Sequence, residues 1–79
     1  MAQRTSAEET MTREELATYL AELAGEFERG EEKISVGVGN KSVTVHPPEN
    51  VDVSVEVVER SSMIRGQRET IDIELRWKP

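Results

Sequence analysis

Three arginines, Arg60, Arg65 and Arg68, are the residues of this chain best suited to binding chemistry. They fall in a segment that the sequence predicts as a loop, residues 60–68, and Met63 and Ile64 lie between them. Arginine guanidinium groups bind phosphates and carboxylates through paired hydrogen bonds. The loop is therefore a candidate contact for an anion or a protein partner, although charged loop tips more often serve only solubility.

Residues 37–42, Gly-Val-Gly-Asn-Lys-Ser, have part of the pattern of a phosphate-binding loop. Such a loop has a glycine directly before its lysine and leads into a helix, whose N-terminus binds the phosphate. Here Asn40 precedes Lys41, and alternating valines follow. The segment instead predicts a hairpin turn.

Metal and acid–base chemistry have little support in the sequence. His46 is the only histidine and the chain has no cysteine, so common ligand sets for zinc or non-haem iron are missing. Carboxylates share the polar face of the last two predicted strands, but an open sheet face provides no pocket in which they could act as acid and base; these are Asp52, Glu56, Asp72 and Glu74. We predict no metal, no cofactor and no catalytic residue, and we expect that the protein is not an enzyme.

Length and charge limit the remaining function classes. The 79 residues predict one small domain with a marginal core. A net charge of −6, from 16 acidic and 10 basic side chains, argues against a general nucleic-acid surface. No apolar stretch approaches the roughly 20 residues that span a bilayer, and the missing cysteines favour a reducing compartment. We expect a cytoplasmic protein with no membrane segment.

A helix is the first predicted element after a polar tail at residues 1–11, which we expect to be disordered. Thr12 and Glu15 form a T-x-x-E capping box, and Gly30 supplies a stop signal. Apolar residues between them recur at spacings of three and four, which predicts a single apolar stripe; they are Leu16, Tyr19, Leu20, Leu23, Ala24 and Phe27.

Strands follow, because the apolar period changes to two after Lys33. Alternation is complete from Glu69 to Trp77, and Pro47 and Pro48 interrupt the ladder earlier. The prediction is an α+β domain over residues 12–79, with one helix packed on a four-stranded antiparallel meander (αββββ) in two layers.

One helix is too narrow for such a sheet. Four strands span about 19 Å, whereas a helix with its side chains is about 10–12 Å across. We therefore predict a homodimer in which a second copy covers the remaining apolar surface, or pairs with the edge of the last strand. Residues with a structural or dimer role in this hypothesis are Tyr19, Phe27, Ile71, Ile73, Leu75 and Trp77.

The sequence resembles the amphi-Trp domain family, small prokaryotic domains of unknown function. The resemblance rests on the helix at residues 13–27, the glycine hairpin, the segment from Ser42 to Pro48 and the strand from Ile71 to Trp77. It implies a fold and no activity. We expect a small non-enzymatic module for protein interaction. The alternative is a binder of an anion, a small ligand or a nucleic acid that uses loop 60–68.

Overall fold

Helix α1 spans Arg13–Glu28 in the computed structural model of the chain, which describes residues 3–64 and 66–79. The predicted capping box is confirmed: the Thr12 N–H donates to Glu15 Oε1 at 3.0 Å, and the Glu15 N–H donates to Thr12 Oγ1 at 3.1 Å. Gly30 follows the helix with φ of 68°, a conformation that glycine adopts without a Cβ penalty. Both helix ends are therefore specified locally.

Strands β1 (Ile34–Val38) and β2 (Lys41–Val45) form a tight antiparallel hairpin. Gly39 is the first residue of the two-residue turn and has a φ of 63°. A glycine in this position of such a turn adopts a positive φ without a Cβ penalty. Val36 lies opposite Val43, and Ile34 lies opposite Val45. The predicted hairpin turn is confirmed.

Strands β3 (Asp52–Ser62) and β4 (Gly66–Arg76) form a second, longer antiparallel hairpin. The predicted loop at residues 60–68 is too long, because Arg60 and Arg68 are paired strand residues. Apolar residues alternate only up to Val57 in β3 and only from Ile71 in β4. The backbone hydrogen bonds extend the pairing beyond them to the tip, because strand pairing does not depend on apolar side chains.

The α+β class and the element order α1-β1-β2-β3-β4 are confirmed. The strands are divided between two two-stranded sheets, β1-β2 and β3-β4, rather than joined in one continuous meander. Pro47 and Pro48 lie between β2 and β3 and cannot donate a ladder hydrogen bond. The chain leaves the first sheet at this segment, and β3 pairs with β4 and not with β2.

Helix α1 packs against β1 of the first hairpin, whereas the prediction was a helix packed on one four-stranded sheet that it only partly covers. Ile34, with 3% of its surface exposed, is the one fully buried apolar residue of that part of the chain. The Phe27 and Trp77 rings meet edge to face, with centroids 6.2 Å apart. This contact brings the end of β4 to the C-terminal end of α1.

The described part of the tail, residues 3–11, contains no helix or strand. Gln3 and Thr5 lie beside the valines of the first hairpin. The disorder of residues 1–11 stays a prediction.

Candidate interaction surface

One face of the β3-β4 hairpin is apolar and uncovered. Directly opposite pairs place Val53 with Leu75, Val55 with Ile73 and Val57 with Ile71, so their side chains share one face. We call these six residues the hairpin face. Five are between 57% and 69% exposed, and Leu75 is 36% exposed.

The hairpin face follows directly from the alternation in the sequence. β-Branched side chains suit a pleated surface, and alternation sends the intervening polar residues to the other side. Within the described residues, β3 and β4 pack mainly on each other, and only Leu75 at the base of the hairpin lies beside α1 and the first hairpin. The hairpin face is thus built like half of a protein core.

The size and shape of the whole chain agree with an uncovered surface. Its accessible area is 7791 Å², whereas a compact chain of its mass exposes about 4,800 Å². Its radius of gyration is 15.3 Å, against about 11.6 Å for a compact domain of this length. The excess area, about 3,000 Å², is well above the roughly 800 Å² that each partner buries in a standard interface.

Two side chains of α1 cover part of the outer edge of β1. The Tyr19 hydroxyl donates to the Gly37 carbonyl oxygen at 2.7 Å, and the Ser35 N–H donates to Glu26 Oε1 at 2.8 Å. The second Glu26 oxygen forms an ion pair with Arg29. Tyr19 therefore holds the helix on the first hairpin, whereas sequence patterns gave no sign of the role of Glu26.

An apolar cleft of about 390 Å³ lies beside the base of the long hairpin. Its walls come from α1, the first hairpin and the end of β4, and the tail residues Gln3 and Thr5 border it. Leu75 belongs to both the cleft and the hairpin face, so the two apolar surfaces are continuous. The other apolar residues of the cleft are Leu23, Phe27, Val36, Val38, Val43, Val45 and Trp77.

The basic residues predicted as an anion contact are only partly brought together. Arg60 and Arg68 lie directly opposite each other on the polar face of the hairpin. Met63 and Ile64 are fully exposed at its tip, with relative exposures of 105% and 95%. Arg65, the third predicted arginine, lies outside the described residues.

A second like-charge pair, Glu59 and Glu69, continues the hairpin face toward the tip. Like charges directly opposite each other destabilise a strand pair unless a counter-charge lies nearby. Neither carboxylate has a hydrogen bond or an ion pair with another described residue. The pairing of these two residues could be found only from the register, because Glu69 was predicted as strand and Glu59 was not.

The other polar residues considered for metal or acid–base chemistry, His46, Asp52, Glu56, Asp72 and Glu74, lie exposed in the described structure. Across residues 3–64 and 66–79, no three His, Asp or Glu side chains form a group that could hold a metal ion. Glu56 and Asp72 are paired on the open polar face of the hairpin. No helix in the described ranges has the length and apolar composition needed to cross a membrane.

Comparison with known proteins gives one match. The family model described as the Amphi-Trp domain matches residues 1–79, the full length of the chain. Neither a curated protein nor a solved structure matches the chain.

Proposed function

The chain belongs to the Amphi-Trp domain family, and we propose that it is a small, non-enzymatic protein-interaction module that works as a homodimer. The hairpin face carries this proposal. It offers a contiguous row of paired aliphatic side chains to solvent. Contiguous apolar patches of this kind mark interaction surfaces on soluble proteins.

The balance of surface area supports a partner that covers much more than the hairpin face. The excess of about 3,000 Å² per chain includes the exposed tail residues 3–11, and it exceeds the roughly 1,000–2,500 Å² that each partner buries in obligate complexes, whose interfaces resemble a core cut in half. A single chain with one fully buried apolar residue among those described has little core of its own. Association would supply the missing burial.

A second copy is the partner that is always available to every chain. Two-fold symmetry uses each contact twice, so two marginal chains can complete one common core. The polar face of the hairpin then remains free for other partners.

Light scattering coupled to size-exclusion chromatography tests the homodimer. At tens of micromolar protein, we expect twice the chain mass of 8.9 kDa. Dilution should dissociate the dimer and reduce its secondary structure together, since folding and association would be coupled. A folded monomer at these concentrations would contradict the proposal.

An anion-binding function is a second candidate, favoured by the Arg60–Arg68 pair. Two guanidinium groups directly opposite each other repel unless an anion lies between them. The candidate ligands are polyphosphate, a nucleic-acid backbone or an acidic protein segment.

Binding of polyphosphate at increasing salt concentration tests this candidate. Phosphate contacts release counterions, so affinity should fall steeply with salt. Arg60→Ser with Arg68→Ser should abolish binding, whereas Lys41→Ser, at the far turn, should not. Unchanged binding in the arginine variant would exclude the pair as the site.

A further inference from the structure

The hairpin face is not the only uncovered apolar surface of the chain. Helix α1 contacts β1 through the side that carries Tyr19 and Glu26. The 3.6-residue period places Leu16, Leu20 and Ala24 further round the helix. Leu16 and Leu20 are each 46% exposed, and Ala24 is also exposed. We call these three residues the free side of α1.

The free side and the hairpin face have matching widths. A helix with its side chains is about 10–12 Å across, and two strands span about 10 Å. Within the described residues, α1 does not pack on β3 or β4 of its own chain. A second copy can bring one surface to the other, and a two-fold axis does so twice.

Charge sets the direction of such a contact. Arg13 precedes Leu16 by three residues and Leu20 by seven, so it continues the free side toward the helix N-terminus. The Glu59–Glu69 pair continues the hairpin face toward the tip. None of these three side chains has a polar partner elsewhere in residues 3–64 and 66–79.

The spacing of apolar and charged groups agrees on the two surfaces. Arg13 lies about 10.5 Å from Leu20 along the helix axis, at 1.5 Å per residue. Glu59 lies about 10 Å from the midpoint between Val55 and Val57, at about 3.3 Å per residue. With Leu20 seated between those valines, Arg13 reaches the glutamate pair.

We propose that α1 of a second copy lies along the hairpin face, with its N-terminus toward the hairpin tip and its Arg13 between Glu59 and Glu69. The contact is reciprocal, so each dimer contains it twice. This geometry rests on the proposed homodimer and names the surfaces that form it. Face-to-face stacking of two hairpins would leave the free side of α1 and both charge groups without partners.

Complementary charge reversal tests the geometry. Arg13→Glu alone places three carboxylates together, and Glu59→Arg with Glu69→Arg places three guanidinium groups together. Each homodimer should dissociate at least about tenfold more readily, because like charges across an interface are strongly unfavourable. Refolding the two variant chains together should restore a dimer, since both contacts in the mixed dimer again join opposite charges.

Matched controls change the same charges away from the contact. Glu56→Arg with Asp72→Arg reverses a like-charge pair on the polar face of the same hairpin. Lys41→Glu makes the same change in charge as Arg13→Glu, at the far turn of the first hairpin. Both control variants should remain dimeric.

The outcomes separate the geometry from the proposed function. Rescue by mixing, with unaffected controls, supports the helix-on-hairpin contact even if each variant alone unfolds. Dimers that tolerate both reversals, or weakened variants that mixing does not restore, overturn this contact and leave the homodimer standing. A monomeric wild-type chain overturns both.

Discussion

The first hairpin and the second hairpin are made of similar alternating valines and isoleucines, but they end in different environments. The first has α1 along its edge, joined to it by Tyr19 and Glu26, and its valines are half-buried. The second has the Phe27–Trp77 contact at its base, while the hairpin face is exposed. Alternation therefore defines which side of a strand is apolar, whereas the covering element decides whether that side is buried. In the proposed homodimer, the second copy supplies the cover that the second hairpin lacks.

A charge on the hairpin face should have the largest effect of the substitutions that probe this difference. Ile73→Asp would place a carboxylate among the aliphatic pairs, where burial in an interface is costly. We expect the dimer dissociation constant to rise at least about 100-fold, or about 2.8 kcal/mol. Sedimentation equilibrium measures it.

Thr70→Asp is the matched control for Ile73→Asp, because Thr70 lies on the polar face of the same strand. It should leave the dimer within about threefold of wild type, as surface substitutions usually do. Equal weakening by both variants would show that the two faces of the hairpin do not differ in the assembly.

Removal of the aromatic contact between α1 and the end of the second hairpin should have the next largest effect. Phe27→Ala should lower the free energy of unfolding by about 2 kcal/mol, less than for a fully buried ring because Phe27 is half-buried. Urea unfolding followed by circular dichroism measures the loss.

The double-mutant cycle with Trp77→Ala isolates the edge-to-face interaction itself. We expect a coupling of about 1 kcal/mol between the two rings. Strict additivity of the two substitutions would mean that the rings do not join the hairpin to the helix.

Loss of the Tyr19 hydroxyl should affect only α1 and the first hairpin. Tyr19→Phe removes the donor to Gly37, and we expect a loss of about 1 kcal/mol in the free energy of unfolding, typical of one hydrogen bond. Amide exchange should accelerate in β1 before it does in β3. Faster exchange confined to the long hairpin would contradict the view that Tyr19 stabilises the first hairpin and not the second.

The smallest effect should come from the helix cap and depend on pH. The Thr12 backbone N–H, and then its hydroxyl, lower the pKa of Glu15 by hydrogen bonding to the carboxylate. A lowered folded pKa means that this stabilisation is present above about pH 4.5, the ordinary glutamate value, and is lost as the pH falls through the folded pKa.

Glu15→Gln keeps a capping side chain but removes the charge. The difference in unfolding free energy between this variant and wild type should shrink as the pH falls below the ordinary glutamate value. A constant difference across that range would mean that the Glu15 charge does not contribute to the cap.

Local signals in the sequence were enough to predict the elements. The Thr12–Glu15 box, Gly30 and the Gly39 turn depend on neighbouring residues, and each lies where its pattern indicated. The strand pairing depends on tertiary structure, so alternation gave no information on whether β2 would pair with β3.

The candidate surface was predictable in its residues but not in its exposure. Ile71, Ile73 and Leu75 were predicted as part of an apolar face that one helix could not fully cover. Ile71 and Ile73 are 69% and 57% exposed, whereas Leu75, at 36%, borders the cleft beside α1 and the first hairpin. The like-charge pairs needed the register, because Arg60 and Glu59 lie beyond the alternating segment and their partners are distant in sequence.

The covered edge of β1 also affects how this chain can misassemble. A strand from another chain would need the Gly37 carbonyl as acceptor and the Ser35 N–H as donor in order to extend the sheet there, and α1 already binds both groups. The folded chain therefore carries its own block against strand addition at β1.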